Sequence, residues 1–168
     1  MEVVIIPNII RDKIKGIVDI EGNTVRDFSQ YRIEYQESFE FKFIPESELT
    51  YDETKVFAHK DKIMNFVGGK PKIVQDIKIS ETLRVGSTVC GVAGMWQHSE
   101  NTIIIKRDQL TDLNLFAGTL LHEVAHAVSG CPDIDGGFEL MLSKFLGEIS
   151  VKSLKLWKWL RSSHVYYN

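Results

Sequence analysis

An amphipathic pattern over residues 113–128 constrains this chain more than any other stretch of it. Apolar residues recur there three and four positions apart, which predicts a helix with one face in a hydrophobic core. His122 and His126 lie four apart on the neighbouring face, so a helix places one imidazole above the other at the border of that core. The apolar stripe consists of Leu113, Phe116, Ala117, Leu120, Leu121, Val124, Ala125 and Val128.

The two histidines belong to the segment His-Glu-Val-Ala-His, which has the spacing of a helical metal site. Imidazoles four residues apart can offer two nitrogens to one zinc ion, each at about 2.0–2.1 Å. Glu123 points about 100° around the helix from His122 and about 60° from His126, so its carboxylate can lie beside the ion without binding it. We therefore expect Zn²⁺ on the histidines and Glu123 as the general base for a metal-activated water. The alternative is a structural role for the pair, because the motif also arises by chance.

A third metal ligand has to come from further along the chain. The segment Gly130-Cys131-Pro132 predicts the end of the first helix, and Asp133 or Asp135 can cap a second helix that begins near residue 136. In the resulting antiparallel hairpin, Glu139 lies one turn into the second helix and can face His126. We expect Glu139 to be the third ligand, with Asp133 as the alternative.

The remaining candidates for the third ligand are weaker. Asp135 is a cap candidate, and Cys131 is expected to be a buried turn residue. Glu148 lies four residues after Lys144, a spacing that favours an exposed ion pair between the two.

The motif resembles the active-site helix of zincin metallopeptidases, which carry HExxH and a third ligand further on. Metzincins place a glycine three residues after the second histidine and a ligand three beyond it; here Ser129 and Pro132 occupy those positions. The arrangement is instead similar to a shortened gluzincin, in which a downstream helix donates a glutamate. The resemblance implies a zinc metallopeptidase that acts on a peptide or protein substrate. The alternative is a metal-stabilised, non-catalytic binding or regulatory module of a larger protein.

A wider resemblance covers residues 73–149, carried by residues 78–82, 103–106 and 118–122. This stretch is similar to metallopeptidase-like domains that are appended to larger bacterial proteins. The resemblance implies an α+β fold in which a small twisted sheet packs on the HExxH helix, followed by an antiparallel backing helix. It also raises the prospect of a partner or an upstream regulatory domain.

The length of 168 residues suits a single domain, with a catalytic core over residues 70–150 and a possible N-terminal β appendage over residues 1–48. Alternating apolar residues predict strands near 31–35 and 39–43. A Thr50-x-x-Glu53 capping box predicts a helix that ends at Gly68-Gly69.

Two further strands are predicted over residues 73–79 and 102–106. In zincins an edge strand beside the active-site helix holds an extended peptide, and by position residues 101–106 are the candidate. Three consecutive isoleucines make an interior strand the rival interpretation. Gly118, one turn before His122, weakens the helix, which suggests either a close backbone approach there or ordinary helix packing.

Composition excludes several other classes of function. The net charge of −3 and scattered Lys and Arg provide no basic patch for nucleic acid. The sequence shows neither a run of 18 apolar residues nor a secretory signal, so we expect no membrane span and a cytoplasmic location. Cys90 and Cys131 are expected to be free thiols.

Overall fold

The computed structural model describes residues 40–83 and 92–163, together with ten positions between 10 and 24; for 158–163 it describes the backbone only. Contacts between residues divide the chain into two units, 1–39 and 40–168. The predicted strand at 31–35 lies outside the described residues. The functional candidates all lie in the second unit, which is a mixed α+β structure.

Four strands form one mixed sheet in the order β1-β2-β4-β3. Strand β2 is parallel to β4, while β1 pairs antiparallel with β2 and β3 antiparallel with β4. The strands are β1 (Phe43–Ile44), β2 (Asp76–Ser80), β3 (Gly94–Gln97) and β4 (Thr102–Lys106).

Strand β4 lies inside the sheet, so the proposal of residues 101–106 as the edge strand is wrong. Both of its edges carry hydrogen-bonded neighbours, and Ile103, Ile104 and Ile105 are all fully buried. The rival interpretation of the isoleucine run is confirmed. Within the described part of the sheet, the edge strand next to β4 is β3.

Four α-helices are described: α1 (Tyr51–Phe57), α2 (Lys60–Phe66), α3 (Leu113–Ser129) and α4 (Gly136–Ser163). The capping box at the start of α1 is confirmed, because Thr50 and Glu53 exchange both side chain to backbone hydrogen bonds. The single helix expected after it is two helices. At the break, His59 Nδ1 lies 2.7 Å from the carbonyl oxygen of Lys55, and the His59 N–H bonds only three residues back, to Val56.

Arg107, just after β4, ties α1 to the sheet. Its guanidinium forms two bonds to the Glu53 carboxylate, at 2.8 and 3.0 Å, and a third to Glu81 at 3.0 Å. The side-chain bond from Arg107 lowers the pKa of Glu53 to about 2, although partial burial acts in the opposite direction. A paired, fork-shaped contact of this kind fixes both orientation and distance.

Helix α3 lies against the sheet, and α4 packs against α3. The core between them contains Phe116, Leu120 and Val124 from α3, each fully buried, with Phe138 and Phe145 from α4. The amphipathic pattern that predicted α3 therefore matches its buried face. None of the described helices has the combination of length and apolar character that crossing a membrane requires.

Candidate metal centre

Helix α3 holds both histidines in a rigid frame because both of its ends are capped. At the start, Asp112 Oδ1 accepts hydrogen bonds from two backbone N–H groups, those of Asn114 and Leu115. At the end, Gly130 adopts a left-handed conformation (φ 66°) and its N–H bonds to the carbonyl oxygen of His126. Left-handed backbone of this kind favours glycine, so the helix ends where the sequence predicts it.

His122, His126 and Asp133 bring three ligand atoms together at the end of α3. The two Nε2 atoms lie 3.2 Å apart, and Asp133 Oδ1 lies 2.9 Å from that of His122 and 3.1 Å from that of His126. Ligand atoms about 2.05 Å from a tetrahedral ion are separated by roughly 3.3 Å. The three separations are close to that value, so this group can hold a metal ion.

The hydrogen bond at Nδ1 of His126 determines whether its Nε2 carries a hydrogen or a lone pair. Nδ1 lies 2.7 Å from the carbonyl oxygen of Cys131, and a carbonyl only accepts, so Nδ1 carries the hydrogen. In the neutral imidazole, Nε2 then has a lone pair that faces the Asp133 carboxylate. Two electron-rich atoms at this distance repel each other unless a proton or a metal ion lies between them.

The pKa of His122 is lowered, first by burial and then by the neighbouring imidazole of His126, against the opposite effect of Asp133. A lowered pKa keeps the imidazole neutral near pH 7. The neutral form is the one that binds metal ions.

Glu123 is buried beside the group, with 5% of its surface exposed. Burial, and after it the charge of Asp133, raise the pKa of its carboxyl to about 8, although a hydrogen bond from the Trp96 backbone acts in the opposite direction. A buried carboxyl with a backbone donor, beside a group that can hold a metal ion, is an environment that suits a general base or acid.

Strand β3 approaches Glu123 closely at Gly94. A Cβ atom at this position would lie 2.6 Å from Thr119 Cγ2, 3.0 Å from Glu123 Cγ and 3.1 Å from Glu123 Oε1. Only glycine lets the strand pass here. Of the two explanations for Gly118, a close backbone approach is not seen, since a Cβ on Gly118 meets nothing within 4 Å among the described residues.

The structure places Asp133, the alternative candidate for the third ligand, beside the two histidines. Glu139, the candidate that we expected, lies elsewhere. Glu139 is exposed in the first turn of α4 and does not belong to the group. The turn over residues 130–135 is the reason, because it carries Asp133 back toward α3 before α4 begins. Of the weaker candidates, Asp135 caps α4 through the N–H of Gly137, and Glu148 pairs with Lys144 at 3.9 Å.

Two residues that contact the candidate site were not identified from the sequence. Phe138 contacts both imidazoles, and the Trp96 backbone contacts Glu123. The apolar spacing of Phe138 with Leu142 and Phe145 marks it as a core residue of α4, but nothing in the sequence indicates which rings it meets. Cys131 is a free thiol, as expected, whereas Cys90 lies outside the described residues.

Comparison of the chain with protein-family models, with curated proteins and with solved structures finds no match. The chemistry of the site therefore has to follow from its own side chains. Two imidazoles, one exposed carboxylate and one buried carboxyl at a sheet edge can hold a cation and move a proton beside it.

Proposed function

We propose that this chain is a zinc-dependent metallohydrolase of the zincin type that cleaves peptide bonds. Zinc would be bound by His122, His126 and Asp133, with Glu123 as the general base. The observation that carries the proposal is the convergence of three ligand atoms: Asp133 Oδ1 lies 2.9 Å from His122 Nε2 and 3.1 Å from His126 Nε2, and the two nitrogens are 3.2 Å apart. A metal ion between the three atoms would satisfy all of them at once.

The donor set supports zinc as the ion. Two histidine nitrogens and one carboxylate oxygen are a common ligand set of catalytic zinc, which leaves a fourth position for water or substrate. The second ring nitrogen of His126 donates to a backbone carbonyl, as metal-binding histidines usually do. The partial exposure of His122 and Asp133, at 41% and 68% of their side chains, leaves access from solvent.

A bound zinc ion supplies a Lewis acid that acidifies water and polarises a carbonyl group. Glu123 accepts the proton of the attacking water while the water oxygen forms a bond to the carbonyl carbon. As the C–N bond breaks, Glu123 returns that proton to the departing amine. The Trp96 N–H keeps the carboxylate oriented for both transfers, and the positive charge of the ion favours its ionised form by opposing the effect of Asp133.

The edge position of β3 supports a peptide as the substrate. Glu123 contacts this strand, and β3 pairs only with β4 among the described strands. An edge strand offers its backbone donors and acceptors to an extended chain, which can add to the sheet. A peptide held in this way would lie beside the carboxylate that acts on it.

Two measurements test the proposal. Metal analysis of protein purified without added metal should find about one zinc per chain, and Asp133→Asn should lose it while Glu139→Gln keeps it. The opposite result would identify Glu139 as the third ligand, and less than about 0.2 zinc per chain in the unaltered protein would refute the site.

Cleavage of a mixed peptide library, read by mass spectrometry, tests the reaction. Glu123→Gln should retain zinc and lose cleavage by at least about 100-fold. Because Gln has nearly the same shape and cannot accept the proton, retained cleavage would refute the role of Glu123. Zinc that is bound and stabilising without any cleavage would favour the non-catalytic binding module instead.

A further inference from the structure

Phe138 contacts the imidazole rings of both histidines at once. Its ring stacks on that of His126, with centroids 4.2 Å apart and an interplanar angle of 17°. The same ring meets His122 nearly edge-on, at 4.9 Å and 69°. Phe138 is 3% exposed, so the fold fixes its position.

The two imidazoles differ in what else restrains them. His126 is held by the carbonyl of Cys131 through Nδ1. Among the described residues, His122 forms polar contacts only through Nε2, to His126 and Asp133, and these are the atoms that would bind the ion. The ring of His122 also meets that of His126, with centroids 4.8 Å apart and an interplanar angle of 77°. Phe138 is therefore the ring contact from outside the group that restrains His122 without using its Nε2 atom.

We propose that Phe138 is a positioning residue of the metal centre: it fixes both imidazoles in the orientation in which their Nε2 atoms converge. This inference rests on the proposed function, because it requires that the histidines bind zinc. Without the aromatic ring, the imidazole of His122 can rotate about its side-chain bonds, while His126 loses its stacking partner and keeps only the bond to the Cys131 carbonyl. Metal binding then has to restrict that freedom. The cost then appears as weaker binding.

Helix α4 offers a matched control. Phe145 lies two turns after Phe138 on the same helix and is buried to a similar degree, 5% against 3%. It belongs to the same core, but no contact with either imidazole is found among the described aromatic pairs. Phe138→Leu and Phe145→Leu therefore remove the same atoms from the same helix, and only the first removes the contact with the histidines.

The experiment measures the Kd for Zn²⁺ by competition with a chromophoric chelator, in the full chain and in both variants. Phe138→Leu should weaken binding about 10-fold or more, the range seen when residues that orient metal ligands are removed. Phe145→Leu should change the Kd less than about 3-fold. The visible absorption of bound Co²⁺, which reports ligand geometry, should change only in Phe138→Leu. If Phe138→Leu does not fold, Phe138→Met and Phe145→Met provide a second pair with better-filled volume.

The outcomes separate this inference from the function on which it rests. If the unaltered protein binds neither Zn²⁺ nor Co²⁺, the proposed function is wrong, and the positioning role with it. If it binds zinc and the two variants differ from it by the same factor, Phe138 only stabilises the fold and this inference alone is overturned. A selective loss in Phe138→Leu, with a changed Co²⁺ spectrum, supports it.

Discussion

Replacement of Gly94 by alanine places one methyl group where β3 passes over α3. The new Cβ would lie 2.6 Å from Thr119 Cγ2 and 3.0 Å from Glu123 Cγ, well inside the usual carbon–carbon contact distance. Thr119 cannot easily rotate away, because it is branched at Cβ and its Oγ1 donates to Gln109 Oε1 at 3.0 Å. Either that hydrogen bond breaks, at about 1 kcal/mol, or the strand shifts. We expect Gly94→Ala to lower the free energy of unfolding by about 2–3 kcal/mol.

Urea unfolding of the single and double variants tests this magnitude. Thr119→Ser removes Cγ2, the atom nearest the new methyl group, and keeps Oγ1 and its hydrogen bond. In that background Gly94→Ala should cost about 1 kcal/mol less, because only the contacts with Glu123 remain.

Gly118→Ala is the control within α3. Its Cβ meets nothing within 4 Å, so helix propensity alone predicts a gain of up to about 1 kcal/mol. A Gly94→Ala protein as stable as the unaltered chain, or a cost that Thr119→Ser leaves unchanged, would contradict the close approach of β3 to the helix.

Of three further predictions, two concern the charge of carboxyl groups and one concerns metal removal. Because the pKa of Glu53 is lowered to about 2, its bond to Arg107 stabilises the fold above pH 4.5 and loses this effect as the pH falls toward 2. Glu53→Gln should therefore cost about 1–2 kcal/mol at pH 7, after allowance for solvent screening, and almost nothing at pH 2. Glu46, which forms an exposed ion pair with Lys60, provides the control. An equal loss of unfolding free energy in Glu46→Gln would contradict the prediction for Glu53. The pKa of Glu123 is raised to about 8, so its burial destabilises the metal-free fold increasingly as the pH rises from 4.5 to 8. Glu123→Gln should thus be more stable than the parent by about 2–4 kcal/mol at pH 8 and similar to it at pH 4.5, as measured by urea unfolding with a chelator present; a constant difference would refute the shift. With zinc at 100 times its Kd, a chelator should lower the unfolding free energy of the parent by about 2.7 kcal/mol; no effect would argue against a site formed only in the folded state.

Helix α3 and its histidines could be predicted because everything they need is local. The apolar spacing selects a helix, and a helix of standard geometry places residues four apart on one face. The caps at Asp112 and Gly130 set its length. The relation of His122 to His126 therefore depends on no distant part of the chain.

The third ligand and the sheet order were harder to predict, because each depends on the path of the chain between elements. Asp133 and Glu139 are both acidic residues within one hairpin, and only the turn over residues 130–135 decides which of them meets the histidines. The sequence of β4 is compatible with an edge or an interior strand until its neighbours are known, although its three isoleucines favour burial. The break between α1 and α2 has no strong signal, since alanine and histidine at 58 and 59 both occur inside helices.

The burial of Glu123 is the feature that packing does not explain. A carboxyl with 5% exposure and one backbone donor is costly for the fold, and the nearby Asp133 makes its ionisation harder still. A glutamine or an apolar residue there would pack as well without this cost. A cation bound by Asp133 and the histidines would neutralise the charge that opposes ionisation of Glu123. Binding of the ion would therefore favour the ionised carboxylate, which is the form that acts as a base. A cation held at this group would therefore offset the cost that burial of Glu123 imposes on the metal-free fold.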